Sequence, residues 1–313
     1  MRRRCLIILL VLLLSPSPTL AHRGRLDSFG CHNNRKAGIY ECHKGQFSGR
    51  SFASKSEMLR TLPSLNEPLK PGVPPPPPSP TIETGLSDCE HLKYGAPSNG
   101  PVLLCRLGYA LSHDAVLKVP DWVIYHLTRR RVAGRFPRID HFRPDPDLEK
   151  NNRAALNDYK KSGYDRGHMA PAGSMKWNAR AMDESFLLSN IVPQVGVGFN
   201  RGIWKALEER VRKWTAERGE LYIITGPIFE GPKRTIGKNK VAVPSHFFKI
   251  IFDPIRVEVI AFVLRNKKLK TSDLPKFITT VDEVESLTGL DFLSEIEDSI
   301  ETVLEGTKQP GFW

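Results

Sequence analysis

The sequence predicts an α+β fold, a mainly antiparallel sheet with flanking helices, preceded by a separate small Cys/His module at the N-terminus. Three observations carry this expectation. Strand-like runs do not alternate with helical ones as they do in parallel βαβ units. Two runs, residues 247–252 and 257–264, are joined only by Asp253-Pro254-Ile255-Arg256 and read as an antiparallel hairpin. A proline tract sets a short Cys- and His-containing stretch apart from the rest. Hydrophobic residues at 40% and charged residues at 26% suffice for a sizeable core and exclude a wholly disordered chain.

In chain order, the first feature is an address. Arg2, Arg3 and Arg4 precede an apolar run at 6–14, followed by SPSPTLA at 15–21, with Thr19 and Ala21 at −3 and −1 of a cut before His22. Residues 1–21 thus read as a secretory signal peptide, and the run is too short to span a bilayer. The expected product is secreted or periplasmic, with no membrane anchor after cleavage. Loss of the leader lowers the formal net charge from +12 to +9. That balance favours polyanionic partners, nucleic acid first.

Four cysteines remain: Cys31, Cys42, Cys89 and Cys105. An even number in an exported chain suggests disulfides, and local pairing, Cys31–Cys42 and Cys89–Cys105, is expected across the intervening linker. Residues 22–65 form the small module, 66–83 the proline-rich linker and 84–313 the large domain. The linker contains PGVPPPPPSP at 71–80, a semi-rigid polyproline II spacer. The module carries CHNNRKAGIYECH at 31–43. Two Cys and two His suit a tetrahedral zinc, but the spacing is not that of a standard finger. A Cys31–Cys42 disulfide, with zinc absent, is the plainer reading.

In the large piece, residues 123–128, 221–225, 247–252 and 257–264 are β-branched or aromatic and bounded by Gly, Pro or charge. Residues 201–218 make the best helix, with Trp204, Leu207, Val211 and Trp214 as its apolar stripe and Glu208, Glu209, Arg210, Arg212 and Lys213 largely outside it. Residues 281–287 and 293–304 also read as helical.

The chemistry concentrates in YDRGHMAPAGSM, starting at Tyr164, and in FLLSNIVPQVGVGFNRGIWKALEE at 186–209. A lone His is more often structural. Here His168 stands beside Arg166 and Asp165 in a polar, Gly-containing segment, and Asn190, Gln194, Asn200 and Glu208 follow among apolar residues. An unperturbed His titrates near neutrality and suits a general base. A single amide carbonyl is a fitting anchor for Mg²⁺, which keeps most of its waters, and Arg donates bidentately to phosphate.

Together, Asp165-Arg166-Gly167-His168, Leu188-Ser189-Asn190-Ile191, Pro193-Gln194 and Asn200 through Trp204 to Glu208 resemble the DNA/RNA non-specific endonuclease family, with its ββα-metal (His-Me) finger. Weaker matches are Leu92-Lys93-Tyr94-Gly95, Thr225-Gly226-Pro227 and VAVPSHFF at 241–248. The resemblance covers roughly residues 90–295. It implies hydrolysis of phosphodiester bonds in DNA and RNA without sequence preference. It implies His168 as general base and Asn200 as the protein ligand of Mg²⁺, with Mn²⁺ as a substitute. Glu208 would hold metal-bound waters, Arg166 would contact the phosphate, Asn190 would shape the site and Asp165 would be mainly structural. It admits a homodimer. In many relatives one residue fewer separates the two asparagines.

Arg129, Arg130, Arg131 and Arg143, with Arg135 and Arg138, fit backbone binding as a set, although a solvated face is the plainer reading of any one. Backbone contacts carry no sequence information. His246 is read as structural. The competing readings are a non-catalytic nucleic-acid- or envelope-binding protein and a phosphodiesterase of narrower choice.

Overall fold

The computed structural model describes residues 31–34, 37–44, 47–53, 89–98, 100 and 102–313. The expected leader and proline linker lie outside the described residues. The chain divides into two units on either side of residue 75, and each is described by itself.

The small unit is a three-stranded antiparallel sheet of β1 (Cys31–Asn34), β2 (Ile39–Cys42) and β3 (Ser51–Phe52), in that order. Cys31 lies opposite Cys42 and the two form a disulfide, as expected. With Tyr40 and Phe47 they make a miniature core.

The large unit is built on a seven-stranded sheet. Its strands are β4 (Leu103–Cys105), β5 (Ala110–Asp114), β6 (Val119–Thr128), β9 (Glu220–Ile228), β12 (His246–Asp253), β13 (Glu258–Arg265) and β14 (Ile278–Thr279). The order is β14-β13-β12-β9-β6-β5-β4, and every neighbouring pair is antiparallel. The β12–β13 hairpin closes at Asp253 opposite Glu258, as the sequence predicts. Cys89 and Cys105 are joined, so the local pairing holds in this unit too.

The strands are apolar almost throughout because both faces of the sheet are covered. Along β12, Phe247 and Ile251 enter one core and Phe248, Ile250 and Phe252 the other, following the two-residue alternation of a strand. The first core is completed by the helix Lys205–Arg218, whose Trp204, Leu207, Val211 and Trp214 stripe is wholly buried. The second is covered by the helices Val281–Thr288 and Asp298–Gly306.

Two helices begin later than the sequence suggests. The expected helix at 201–218 starts at Lys205, because Gly202 leaves helical geometry at φ −130°, ψ −111°. The expected helix at 293–304 starts at Asp298, and Leu293, at φ of 56°, is outside helical geometry. No helix among the described residues is long and apolar enough to cross a membrane.

Candidate active site

The site is assembled from a two-stranded ribbon and the start of the buried-stripe helix. Strand β7 (Asp165–His168) pairs antiparallel with β8 (Ile191–Gln194), placing Gly167 opposite Val192 and His168 opposite Ile191. Gly167 is required by close approach, because a Cβ there would run into the Gln194 side chain. The sequence treats His168 as part of a polar loop. The structure instead puts it on a strand, 9% exposed, between Phe142 and Phe186 with ring centroids 5.3 and 5.0 Å away. Its Nε2 is buried without a hydrogen-bond partner among the described residues. Burial, then the charges of Arg138 and Arg166, push its pKa down to about 3, so the ring is neutral and able to accept a proton at neutral pH.

Asn200 sits in the segment Gly196–Trp204, a wide turn of π type broken at Val197, Gly198 and Gly202. Gly198, at φ +86°, supplies the left-handed step that the turn needs. A wide turn takes in one more residue than a regular one. Because Asn200 precedes the helix, a helical eight-residue spacing does not govern its position relative to Glu208. Its Nδ2 donates to Asp165 Oδ2 at 2.9 Å, leaving the carbonyl oxygen as the amide's acceptor, and Asp165 also pairs with Arg201 Nε at 2.9 Å. Asp165 is thus the orienting partner of Asn200.

Glu208 lies in the first turn of the helix. Burial pushes its pKa up to about 7, while Lys249, Arg212 and Arg138 pull it down. The charge of Arg138 contributes to lowering both the His168 and the Glu208 pKa, while its guanidinium itself pairs with Asp140 at 2.8 Å. An open cleft of about 720 Å³ has Arg138, Phe142, Lys160, Asp165, Arg166 and Asn200 in its wall, while His168 and Glu208 do not line it. Arg166 is exposed there with its guanidinium 4.2 Å over the Phe142 ring.

Two sets of expected site residues lie away from the cleft wall. Asn190 does not face the cleft: it is fully buried, its Nδ2 donates to the carbonyls of Ala170 and Ser185 at 2.9 Å, and its Oδ1 accepts from Ala170 N at 2.8 Å. It holds the segment that leaves His168 and acts on the site through that segment. Three of the four arginines expected to bind nucleic acid are committed elsewhere. Arg129 donates to the carbonyls of Ala216 and Glu217 at the helix C-terminus. Arg131 pairs with Glu90 and stacks over Trp177. Arg143 makes a two-pronged pair with Asp183. Arg130 is exposed, and none of the four lines the cleft. The cations that do line it are Arg138, Lys160 and Arg166.

One neighbour, Lys249, carries no role in the sequence reading, and two others named there, Arg212 and Gln194, prove to be buried polar groups. Lys249 on β12 is fully buried, its Nζ has no hydrogen-bond partner, and it lies 4.5 Å over the Trp204 ring. Its signal was a lone Lys in the apolar run HFFKIIF. Arg212, one turn beyond Glu208, also has a buried nitrogen without a partner, as has the Gln194 amide. Buried donors and acceptors are normally satisfied. Of these groups, Lys249 and Arg212 are the cations that most lower the Glu208 pKa.

The donor set fits a hard cation. Asn200 offers an amide oxygen, Glu208 a carboxylate and Asp165 an outer partner, all oxygen chemistry. A β-ribbon carrying a buried base, followed by a helix carrying a carboxylate, with an oriented amide between them, defines a nuclease of the ββα-metal class. A family model for DNA/RNA non-specific endonuclease matches residues 88–299. The chain is 38% identical over 224 residues to Nuclease C1 of Cunninghamella echinulata var. echinulata, covering 66% of this chain and 89% of that one. It is 35% identical over 239 residues to mitochondrial endonuclease G of Caenorhabditis elegans, covering 71% and 77%. A chain in a crystal structure of the EndoG/EndoGI complex superposes with a TM-score of 0.64 at 34% identity, covering 68% of this chain and 94% of that one. The chain belongs to the DNA/RNA non-specific endonuclease family and is a hydrolase, a metal-dependent endonuclease.

Proposed function

We propose that the protein is an exported, Mg²⁺-dependent endonuclease that cleaves DNA and RNA without sequence preference, with His168 as general base. One observation carries this: a neutral, buried His168 whose Nε2 lacks a partner, behind a cleft lined by Arg138, Lys160 and Arg166. Arg166 and Arg138 receive the phosphate, drawing the scissile group towards His168. Burial is the larger cause of the low His168 basicity, and a bound phosphodiester would offset the smaller part that comes from Arg138 and Arg166. His168 Nε2 accepts the proton of the attacking water. Asp165 accepts from Asn200 Nδ2 and so orients the Asn200 oxygen, which would hold Mg²⁺ with Glu208 as its helper. Bound there, the ion supplies charge neutralisation at the phosphorus oxygens and the leaving oxygen. Contacts limited to phosphate explain the lack of sequence choice.

Export rests on the leader at 1–21 and on the two disulfides, which suit an oxidising compartment. All the named site groups come from one chain, so a homodimer is not needed for chemistry. The test is purified protein with supercoiled plasmid and with RNA, with and without EDTA. Nicking of both, abolished by EDTA and restored by Mg²⁺, is expected. Binding without cleavage in Mg²⁺ would reject the proposal and favour a non-catalytic nucleic-acid-binding protein.

A further inference from the structure

The small unit contains a second, unrelated cluster. Strand pairing sets His32 directly opposite Glu41, on the face away from the Cys31–Cys42 disulfide, and His43 falls two residues beyond Glu41. The Nε2 atoms of His32 and His43 are 3.2 Å apart, and they stand 3.3 and 3.5 Å from Glu41 Oε1. The two rings are nearly parallel, at 17°, with centroids 5.1 Å apart, so they converge at their Nε2 edges.

We propose that His32, Glu41 and His43 form a zinc site, distinct in position and chemistry from the nuclease centre. Bonds of about 2.0–2.1 Å around a tetrahedral Zn²⁺ put neighbouring ligand atoms about 3.3 Å apart. All three observed separations match that edge. The supporting contacts are those such ligands need. His32 Nδ1 lies 3.2 Å from the Asn33 carbonyl; donating to it fixes the tautomer with a lone pair on Nε2, facing the cluster. Asn34 Nδ2 donates to Glu41 Oε1 at 3.1 Å and steadies the carboxylate. The His32 side chain is 7% exposed and that of His43 48%, so three ligands are built in and a fourth position opens to water. Two imidazoles and one carboxylate suit Zn²⁺, whereas Mg²⁺ prefers oxygen alone.

The sequence poses zinc and the disulfide as alternatives because it assigns the metal to both Cys and both His. The register removes that conflict. The cysteines close one face of the hairpin, and the histidines, with the intervening glutamate, gather on the other.

The test uses the full-length, oxidised protein, stripped with EDTA and re-equilibrated with Zn²⁺ in excess Mg²⁺. Zinc content is measured by elemental mass spectrometry alongside a free-thiol count. Wild type should hold one more zinc per chain than His43→Ala, and Glu41→Gln should also lose it, with no free thiol in any of them. Removal of a ligand should weaken binding by more than the roughly 10–100-fold typical of an outer partner. Tetrahedral Co²⁺ absorption should appear in wild type and vanish in His43→Ala. His43 is half exposed, so its replacement spares the fold. Equal zinc content in wild type and His43→Ala would overturn the proposal. So would uptake only after reduction, which would assign the metal to Cys31 and Cys42.

Discussion

Lys249 and Glu208 keep each other charged, and Lys249→Met tests this directly. Lys249 is sealed between Trp204, at 4.5 Å, and Tyr125, at 5.6 Å, without a hydrogen bond to its Nζ. Burial pushes its pKa down to about 8 while the Glu208 charge draws it up, and Glu208, itself raised to about 7 by burial, is drawn down by Lys249. An opposite charge within hydrogen-bonding or near-contact range typically lowers a carboxyl by about 1–3 units. Removing it leaves burial less opposed and raises the Glu208 pKa further above its ordinary value. The ionised fraction at pH 7 therefore falls, and half-maximal activity should need on the order of tenfold more Mg²⁺. The difference should close near pH 9 to 10, where both forms are ionised. Stability has the opposite sign. A lysine depressed from 10.5 to about 8 destabilises the fold below pH 8 and releases that cost as pH rises from 8 to 10.5. Methionine removes the cost and gives up a cation–π contact of about 2 kcal/mol, so the melting temperature at pH 7 should not fall. The assay is plasmid nicking against Mg²⁺ at pH 6–10, with thermal melts at each pH. An unchanged pH and Mg²⁺ dependence, or the same loss at pH 10 as at pH 7, would refute the coupling.

Three further outcomes follow from the site and the fold. His168→Ala should lose about 10²–10⁴-fold in plasmid cleavage. Because the ring packs between Phe142 and Phe186, the variant should also lose about 1–3 kcal/mol in denaturant melts, and a folded variant with near-wild-type cleavage would remove His168 as base. Asp165→Asn should raise the Mg²⁺ requirement by about 10–100-fold, since it acts through Asn200, and Glu208→Gln should keep measurable metal-dependent activity. Asn200→Ala should lose more than either, and titrations that rank Asn200→Ala mildest would reject the assignment. Away from the site, burial and then the charges of Glu285, Glu301, Asp291 and Asp282 push the Glu305 carboxyl up to about 10. Its folded pKa exceeds the unfolded 4.5, so stability present below pH 4.5 is lost as pH rises. Glu305→Gln should therefore raise the melting temperature at pH 7–8 and gain nothing near pH 4.

What could be read in the sequence is what periodicity and short spacing encode. The β12–β13 hairpin was legible from its four-residue connection, and the helix stripe from Trp204 to Trp214 from its spacing. The helix start was not, because the break at Gly202 depends on a backbone conformation that a permissive residue allows without announcing. The base was legible as a residue type but not as an environment. DRGH looks polar along the chain, and its burial comes from Phe142 and Phe186, which tertiary packing brings in from outside that motif.

The arginines show the same limit from the other side. A run of like charges predicts a field, but the partners that spend each charge lie far along the chain. Arg129 reaches carbonyls 87 and 88 residues away, and Arg143 a carboxylate 40 residues away. Charge counting along the chain therefore does not tell which cations line the cleft. Lys249 is the converse case. One charge in an apolar strand looks like noise, yet burial of an unpaired ammonium is so unfavourable that it persists only where another charge answers it. In this fold that charge is Glu208, so the residue that breaks the strand's pattern points back to the catalytic helix.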